Sequence, residues 1–187
     1  MPRDDALEVF EAATFKFTYL AQPLNRYTFK APKVRAWVEQ YCKGLVVLNL
    51  FAGPTRLSGC IEYSNDLDPN FATTFHLDAL DCVNLLRSNL ERKFDRIVID
   101  PPYSYRKSME LYHGNKNSRF KKILDLIPEI LTPKGLVITF GYHSNVMSKK
   151  RGFAIREILL ISHGGAQHDT IVSVEERIKV TEKEIIT

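Results

Sequence analysis

Short apolar runs, separated by polar or helical segments, restrict the fold of this chain more than any other feature. Each run is rich in β-branched or aromatic residues and is far shorter than the ~20 residues of a membrane span. The runs predict seven strands, at residues 44–51, 60–66, 73–78, 94–100, 135–141, 153–162 and 169–177. Strands that alternate with helical stretches predict an α/β domain with a mostly parallel sheet.

Helical spacing of apolar residues predicts three helices, at residues 33–42, 82–92 and 118–131. The first two predicted strands are separated by only eight residues, 52–59. A parallel crossover usually takes about a dozen residues or more and generally contains a helix. We therefore expect the first crossover helix to be cut to a turn or two.

The length of 187 residues suits one domain. We divide it into an N-terminal extension (1–25), a core (26–177) and a tail (178–187). The first ten residues, MPRDDALEVF, contain acids where a secretory signal would have an apolar run. The sequence therefore predicts a cytoplasmic protein without a membrane segment.

Cysteine and histidine spacing disfavours a metal site and a disulfide framework. The three cysteines are odd in number and form no CxxC pair. The five histidines lack the spacing of metal ligands. His163 and His168 flank GGAQ, which is typical of a turn between the last two strands. We predict no metal.

Residues at the strand ends are the candidates for a binding site, because ligands of open parallel sheets bind beyond the carboxyl ends of the strands. FAGPTR, NDLDP, LDALD, DPPYSY and GYHSN follow the first five predicted strands. All five segments contain polar, small or aromatic residues. Asp and Pro are also ordinary turn residues, so DPPY by itself is weak support for a catalytic site. The order of the motifs carries the interpretation.

That order is similar to the one found in S-adenosylmethionine-dependent methyltransferases that modify exocyclic amino groups. The similarity rests on VLNLFAG, NDLDP, HLDALD, DRIVIDPPYS and LTPKGLVITF, and covers roughly residues 26–145. The family includes adenine-N6 DNA methyltransferases and guanine-N2 RNA methyltransferases with a DPPY motif. The resemblance implies a single methyltransferase domain with a Rossmann-like, class I fold and S-adenosylmethionine as cofactor.

The resemblance also implies roles for individual residues. The first-strand loop would pass under the cofactor, the acid after the second strand would bind the ribose, the third motif would bind the adenine, and a segment before the first helix would close over the methionine end. The implied cofactor residues are, in that order, Phe51, Ala52 and Gly53; Asp66 and Leu67; Asp78 and Ala79; and Tyr27 and Thr28. The implied catalytic residues are Asp100, Pro101, Pro102 and Tyr103.

The chemistry of amine methylation fits the DPPY residue types. The lone pair of a nucleobase amine is delocalised, so acceptors for both N–H bonds would free it to attack a methyl group. Asp100 can supply one acceptor and the carbonyl of Pro101 the other, since prolines have fixed φ and no N–H. Tyr103 would stack on the base, a contact worth ~1–3 kcal/mol. A duplex base would have to be flipped out.

Basic residues cluster in the connections that leave the same edge of the sheet, in a chain with a net charge of +4. The candidate substrate residues are Tyr105, Arg106, Lys107, Lys116, Arg119, His143, Lys149, Lys150 and Arg151. Such a rim suits a phosphate backbone with exposed bases, although a solvated basic surface would explain any one cluster alone. We expect DNA or RNA as the partner, with adenine-N6 of DNA slightly preferred because DPPY is typical of that group.

Two other functions stay open. Asn49 and the GPTRLSGC segment depart from the family pattern, which favours a noncatalytic nucleic-acid-binding or partner subunit with a methyltransferase-like fold. Methylation of a protein amide is the other, but that group normally opens the motif with Asn, so Asp100 argues against it. The chain has no room for a separate recognition domain, so substrate recognition would come from short loops, from a structured RNA shape, or from a partner subunit or a homodimer.

Overall fold

Seven strands and three longer helices form the part of the chain that the computed structural model describes, which is residues 15–89, 93–101, 116–165 and 167–178. Strands β1 to β7 are Lys16–Ala21, Val46–Asn49, Ile61–Ser64, Phe94–Ile99, Leu131–Gly141, Phe153–Ser162 and Thr170–Arg177. Helices α1 to α3 are Pro32–Cys42, Ala79–Asn89 and Lys116–Ile130, and 3-10 turns lie at Thr28–Lys30 and Lys149–Arg151. None of the described helices is long and apolar enough to cross a membrane.

The strands form one sheet in the order β1-β6-β7-β5-β4-β2-β3. Strand β7 is antiparallel to β5 and β6, and the other neighbours are parallel. This confirms the predicted α/β architecture with a mostly parallel, seven-stranded sheet. The carboxyl ends of six strands therefore lie at one edge.

One predicted strand was wrong, and one observed strand was not predicted. Residues 73–78 form only an isolated bridge between Phe75 and Asn65, because side chains of Ser64 and Thr74 take over hydrogen bonds that a ladder would make. Strand β1 instead lies within the predicted extension 1–25 and pairs with β6. Its partner is more than a hundred residues away in sequence, so local periodicity gives no sign of the pairing.

Helices cover both faces of the sheet. Alternate side chains of a strand point to opposite faces, and β2 shows the consequence: Val47 packs with Val34 and Val38 of α1, whereas Leu48 packs with Val83 of α2. Helix α3 covers the same face as α2. The three layers fix the strand ends on a well-packed core.

The first crossover, from β2 to β3, contains no helix, whereas the short spacing predicted a helix of a turn or two. The carboxylate of Glu62 on β3 orders this loop in place of a helix. It accepts hydrogen bonds from the Leu57 amide at 3.1 Å and from Nδ2 of Asn49 at 3.0 Å. The loop is thereby attached directly to the two strands that it joins.

Strand β1 is held to the sheet by the buried carboxylate of Glu157 on β6. Thr18 Oγ1 donates to it at 2.6 Å, Trp37 Nε1 donates at 3.3 Å, the Tyr41 hydroxyl also donates, and Lys16 Nζ lies 3.3 Å away. Burial by itself would raise the pKa of Glu157, but these bonds from Thr18, Tyr41 and Lys16 outweigh it and lower the pKa below its ordinary 4.5. The ionised carboxylate thus joins β1, β6 and α1.

Candidate cofactor and substrate cavity

A cavity of about 950 Å³ opens at the carboxyl edge of the sheet. Its size is near the upper end of ordinary ligand pockets. One side, which we call the first wall, consists of residues after β2, β3 and β4 and at the start of α2. These are Phe51, Ala52, Gly53, Asp66, Ala79, Asp100 and Pro101. Another part of the lining, which we call the second wall, consists of Gln22, Pro23, Tyr142, His163, Gln167, His168 and Thr170.

Asp66 is fixed in the first wall by backbone hydrogen bonds. The Gly53 amide donates to its Oδ2 at 2.8 Å, and the Asp68 amide donates to its Oδ1 at 3.0 Å. Each carboxylate oxygen has a second lone pair, so both can still accept a hydroxyl from a ligand. The two amides therefore hold the carboxylate without saturating it.

Gly53 brings the loop after β2 close to the segment before α1. Its φ of +58° is a conformation that side-chain-bearing residues rarely adopt. A Cβ built at this position would lie 3.6 Å from Cδ1 of Tyr27. The ring of Tyr27 thus lies beside the loop, and it also forms an edge-to-face pair with Phe71 at 5.8 Å between centroids.

Asn65 is a residue of the first-wall scaffold that the sequence did not single out. It is buried, and its Nδ2 donates to the carbonyls of Leu50 and Leu77 at 3.2 and 3.0 Å. Its Oδ1 accepts from the Leu77 amide at 3.1 Å, and its carbonyl accepts from the Ala52 amide at 3.0 Å. One side chain therefore links the ends of β2 and β3 to the segment before α2. The signal was an amide at the end of the second predicted strand, since both ends of a buried amide need partners.

Asp78 and Arg119 contact each other. Oδ1 of Asp78 accepts the Leu80 amide at 2.9 Å, which caps α2, and it also accepts Nη2 of Arg119 at 2.6 Å. Neither side chain is among the cavity-lining residues, whereas the adjacent Ala79 is. The acid assigned to the adenine and the cation assigned to the substrate thus form an ion pair behind the first wall.

Asp100 and Pro101 line the cavity directly after β4, and Tyr27 and Thr28 line the same cavity. Leu67 also lines it. The other predicted DPPY and loop residues, namely Pro102, Tyr103, Tyr105, Arg106 and Lys107, lie outside the described residues. Lys116 begins α3, and its side chain is likewise outside the described part.

The four predicted substrate residues after β5 are not among the cavity-lining residues. His143, Lys149 and Lys150 are exposed. Arg151 has an internal role, since its Nε donates to Oδ1 of Asp125 on α3 at 2.7 Å.

The backbone before Lys149 is anchored by Glu175 of β7. Its buried carboxylate accepts the amides of Val146, Met147 and Ser148 at 2.9 to 3.2 Å. These bonds fix where the basic turn Lys149–Arg151 stands.

Apart from Tyr142 in the GYHSN segment, the second wall was not predicted as part of a site. His163 joins its elements, because its Nδ1 lies 2.8 Å from the carbonyl oxygen of Gln22 and its Nε2 lies 2.9 Å from Oγ1 of Thr170. A carbonyl can only accept, so Nδ1 carries a proton. Tyr142 and His168 complete the wall as an edge-to-face pair, 6.3 Å between centroids. The predicted turn therefore contributes side chains to the cavity.

The cysteines do not provide a nucleophile for this cavity. Burial raises the pKa of Cys42 to about 12, that of Cys82 to about 12 and that of Cys60 to about 11. All three thiols therefore stay protonated near neutral pH. Among the described residues, no group of three or more His, Cys, Asp or Glu is arranged to hold a metal ion.

Solved structures share this fold. A Streptococcus mutans protein assigned as an S-adenosylmethionine-dependent methyltransferase superposes with a TM-score of 0.56 at 19% identity, over 77% of this chain and 48% of that one. TrmN from Thermus thermophilus gives 0.53 at 20% identity, over 79% and 49%. The N-methyltransferase NodS from Bradyrhizobium japonicum WM9 gives 0.54 at 10% identity, over 79% and 94%.

These similarities establish the fold. The chain has the Rossmann-like fold of class I methyltransferases, with its first crossover reduced to a loop. It spans about half the length of the first two proteins. No family model and no curated protein sequence matches the chain.

Proposed function

We propose that this protein is an S-adenosylmethionine-dependent methyltransferase that modifies an exocyclic amino group of a nucleobase, with adenine-N6 of DNA slightly preferred over RNA. The observation that carries the proposal is that Asp100 and Pro101 line the same cavity as Asp66 and Gly53. The acceptors for an amine and the acceptors for a ribose thus belong to one ligand-sized space.

The first wall suits this cofactor. Asp66 keeps free lone pairs for two hydroxyls, and Gly53 allows close approach of the backbone. Phe51 and Ala79 add apolar surface for an adenine ring. The two residues assigned to the methionine end, Tyr27 and Thr28, line the same cavity. When bound, the cofactor would supply an electrophilic methyl group.

The chain's own contribution to the reaction is to orient the amine. Asp100 would accept a hydrogen bond from one N–H of the target amine, and the carbonyl of Pro101 would accept the other. With both bonds held, the nitrogen lone pair would be directed away from Asp100 and Pro101, toward the methyl group of a cofactor bound at Asp66 and Gly53. An acceptor that meets the reacting group only in this orientation contributes to the rate and little to ground-state binding.

The nucleic-acid part of the proposal rests on charge and on the DPPY motif. Lys149 and Lys150 are exposed on a turn that Glu175 holds in place. TrmN is among the proteins of the same fold, which is compatible with this assignment. The DPPY motif favours DNA adenine over RNA.

The decisive experiment is to incubate the protein with methyl-labelled cofactor and separate DNA, RNA and protein. The labelled polymer is then digested to nucleosides. We expect label in an N-methylated nucleoside, and none when Asp100 is replaced by Ala. Label in protein alone, or equal labelling by Asp100→Ala, would show that the proposed mechanism is wrong.

A noncatalytic nucleic-acid-binding subunit of the same fold is the second candidate. The helix-free crossover between β2 and β3 favours it, because the usual crossover helix is missing beside the cofactor site. Calorimetry with S-adenosylmethionine separates the two candidates. The noncatalytic candidate predicts no heat of binding for the wild-type protein and the same result for Asp66→Ala.

A further inference from the structure

We propose that Arg26 and Lys30 form a phosphate-binding lip at the mouth of the cavity, which grips the backbone of the nucleic acid whose base enters it. This inference rests on the proposed function and assigns a role to two residues outside the predicted substrate set. Both side chains lie over the Tyr27 ring, with Arg26 Cζ and Lys30 Nζ each 5.3 Å from its centroid. We call Arg26, Tyr27 and Lys30 the cationic lip.

The lip lies in a segment that contains cations but no acids. Residues 15–38 contain five basic residues and neither Asp nor Glu. Three of the five have an oxygen partner. These are Lys16 with Glu157, Lys33 with the carbonyl of Ala21, and Arg35 with Glu39.

Arg26 and Lys30 are the exceptions. Neither makes an ion pair with any carboxylate in the part of the chain that the structure describes, and their only assigned contacts are with the ring. Both head groups lie 5.3 Å from the centroid of the same ring, so one anion near that ring would be attracted by two positive charges at once. The two exposed head groups therefore form a ready site for an anion.

The backbone under the lip is fixed. Oδ1 of Asn25 accepts the Tyr27 amide at 3.1 Å, and the carbonyl of Tyr27 accepts the Lys30 amide at 2.9 Å. The ring itself is held between the Gly53 loop and Phe71. The two cations thus start from a rigid base, which lowers the entropy lost when they bind a ligand.

The position of the lip indicates a phosphate of the substrate. Arg26 and Tyr27 line the cavity that also contains Asp100. If the base of a nucleotide reached Asp100, its phosphates would lie at the mouth of the cavity, near the exposed head groups of Arg26 and Lys30. Because the ring already contacts two cations and Phe71, it holds the cations instead of stacking a base. The lip would therefore bind all sequences alike.

The test is the salt dependence of binding by the double variant Arg26→Gln/Lys30→Gln, measured by fluorescence anisotropy. The probes are short labelled single-stranded DNA and RNA of one sequence and the corresponding duplex, over about 0.05 to 0.2 M salt. Loss of two phosphate contacts should flatten the slope of log K against log salt by about 1.4 for single strands and about 1.8 for the duplex. The decrease in slope should be the same when the probes are replaced by a set with a different base sequence.

The matched control is Lys43→Gln/Lys93→Gln. These lysines are exposed just before β2 and β4, at the edge of the sheet opposite the cavity. The control removes the same charge and should leave the slope within about 0.3 of wild type. An equal change in both double variants would assign the effect to net charge and overturn the lip.

Calorimetry with S-adenosylmethionine distinguishes a phosphate from the carboxylate of the cofactor. Unchanged cofactor affinity together with a flatter salt slope supports the lip. Loss of cofactor affinity with an unchanged slope overturns it and assigns the pair to the cofactor. If wild type bound none of the probes, the proposed function would fail as well. If wild type bound them and the double variant had the same salt slope as wild type, the lip alone would be refuted.

Discussion

The two walls of the cavity differ in how their residues are related along the chain. In the first wall, Asp66, Ala79 and Asp100 each follow or begin an element whose own sequence pattern predicts it. In the second wall, Gln22 and His163 meet only because β1 pairs with β6. A site residue can therefore be found from sequence when its element is predictable alone, and is missed when its position depends on a distant partner.

The largest effect should come from the first wall, at Asp100. Replacing Asp100 with Ala removes one of the two acceptors that we propose orient the amine, and should lower kcat by roughly 10² to 10⁴-fold. Single-turnover kinetics with the unmethylated form of the polymer that the enzyme labels measures this decrease in rate. Cofactor affinity, measured by calorimetry, should stay near that of wild type. If the second wall contained the true catalytic residue, the rate would fall by less than about tenfold.

The next effect concerns cofactor binding, at Asp66. In Asp66→Asn the new NH₂ group faces the amide of Gly53 or Asp68, so one acceptor becomes a donor opposed to a donor. We expect cofactor affinity to fall about 10- to 100-fold, as for loss of one or two strong hydrogen bonds. Calorimetry with S-adenosylhomocysteine measures it. Asp81→Asn, which alters an exposed acid in the first turn of α2, is the control and should bind normally.

Asn65 tests whether the first wall depends on its hidden link. Asn65→Ala leaves the carbonyls of Leu50 and Leu77 and the Leu77 amide without their side-chain partners. We expect a loss of about 2–4 kcal/mol in the free energy of unfolding, measured with denaturant. Asn70→Ala, at an exposed asparagine, should cost less than about 0.5 kcal/mol. If both variants lost the same small free energy of unfolding, the hydrogen bonds of Asn65 would not be needed to stabilise the first wall.

The smallest effect concerns the attachment of β1, on which the second wall depends. The pKa of Glu157 is lowered in the folded protein, so its carboxylate stabilises the fold above pH 4.5 and loses that contribution as the pH falls through the folded pKa. Wild type should therefore lose Tm on acidification below pH 4.5 more steeply than Glu157→Gln. Thermal unfolding between neutral and acidic pH measures the difference.

Glu129→Gln is the control for that experiment. Glu129 forms an exposed ion pair with Arg87, and its loss should leave the acid limb of the Tm curve as in wild type. If Glu157→Gln and wild type lost Tm in parallel, the carboxylate would not be the attachment of β1.

The sequence predicted most of the fold because its central parallel strands, β2 and β4, are apolar and buried on both faces. Val46–Asn49 and Ile97–Ile99 are buried, and such runs are readable without knowing their neighbours. The segment 73–78 was misassigned because the amides of Thr74 and Leu77 donate to the side chains of Ser64 and Asn65, which periodicity does not detect. Strand β1 was missed because Phe17 and Tyr19, on one side of it, are exposed.

The candidate site was predictable to the same extent. Gly53 and Asp66 were identified by residue type after a strand, and both line the cavity. Asp78 and Arg119 were assigned to different ligands, yet their opposite charges pair with each other across 41 positions. Charge alone does not tell whether an ionic side chain faces a ligand or another element of the chain.

The pairing of β1 with β6 also imposes an order of assembly. Thr18 and Glu157 are 139 positions apart, whereas β2 and β4, which support the first wall, are connected by far less chain. Contacts across long separations carry a larger loop-closure cost and tend to form late. On the ribosome, the strands of the first wall emerge before β6 does. The cavity is therefore completed only when the last strands reach the strand made first.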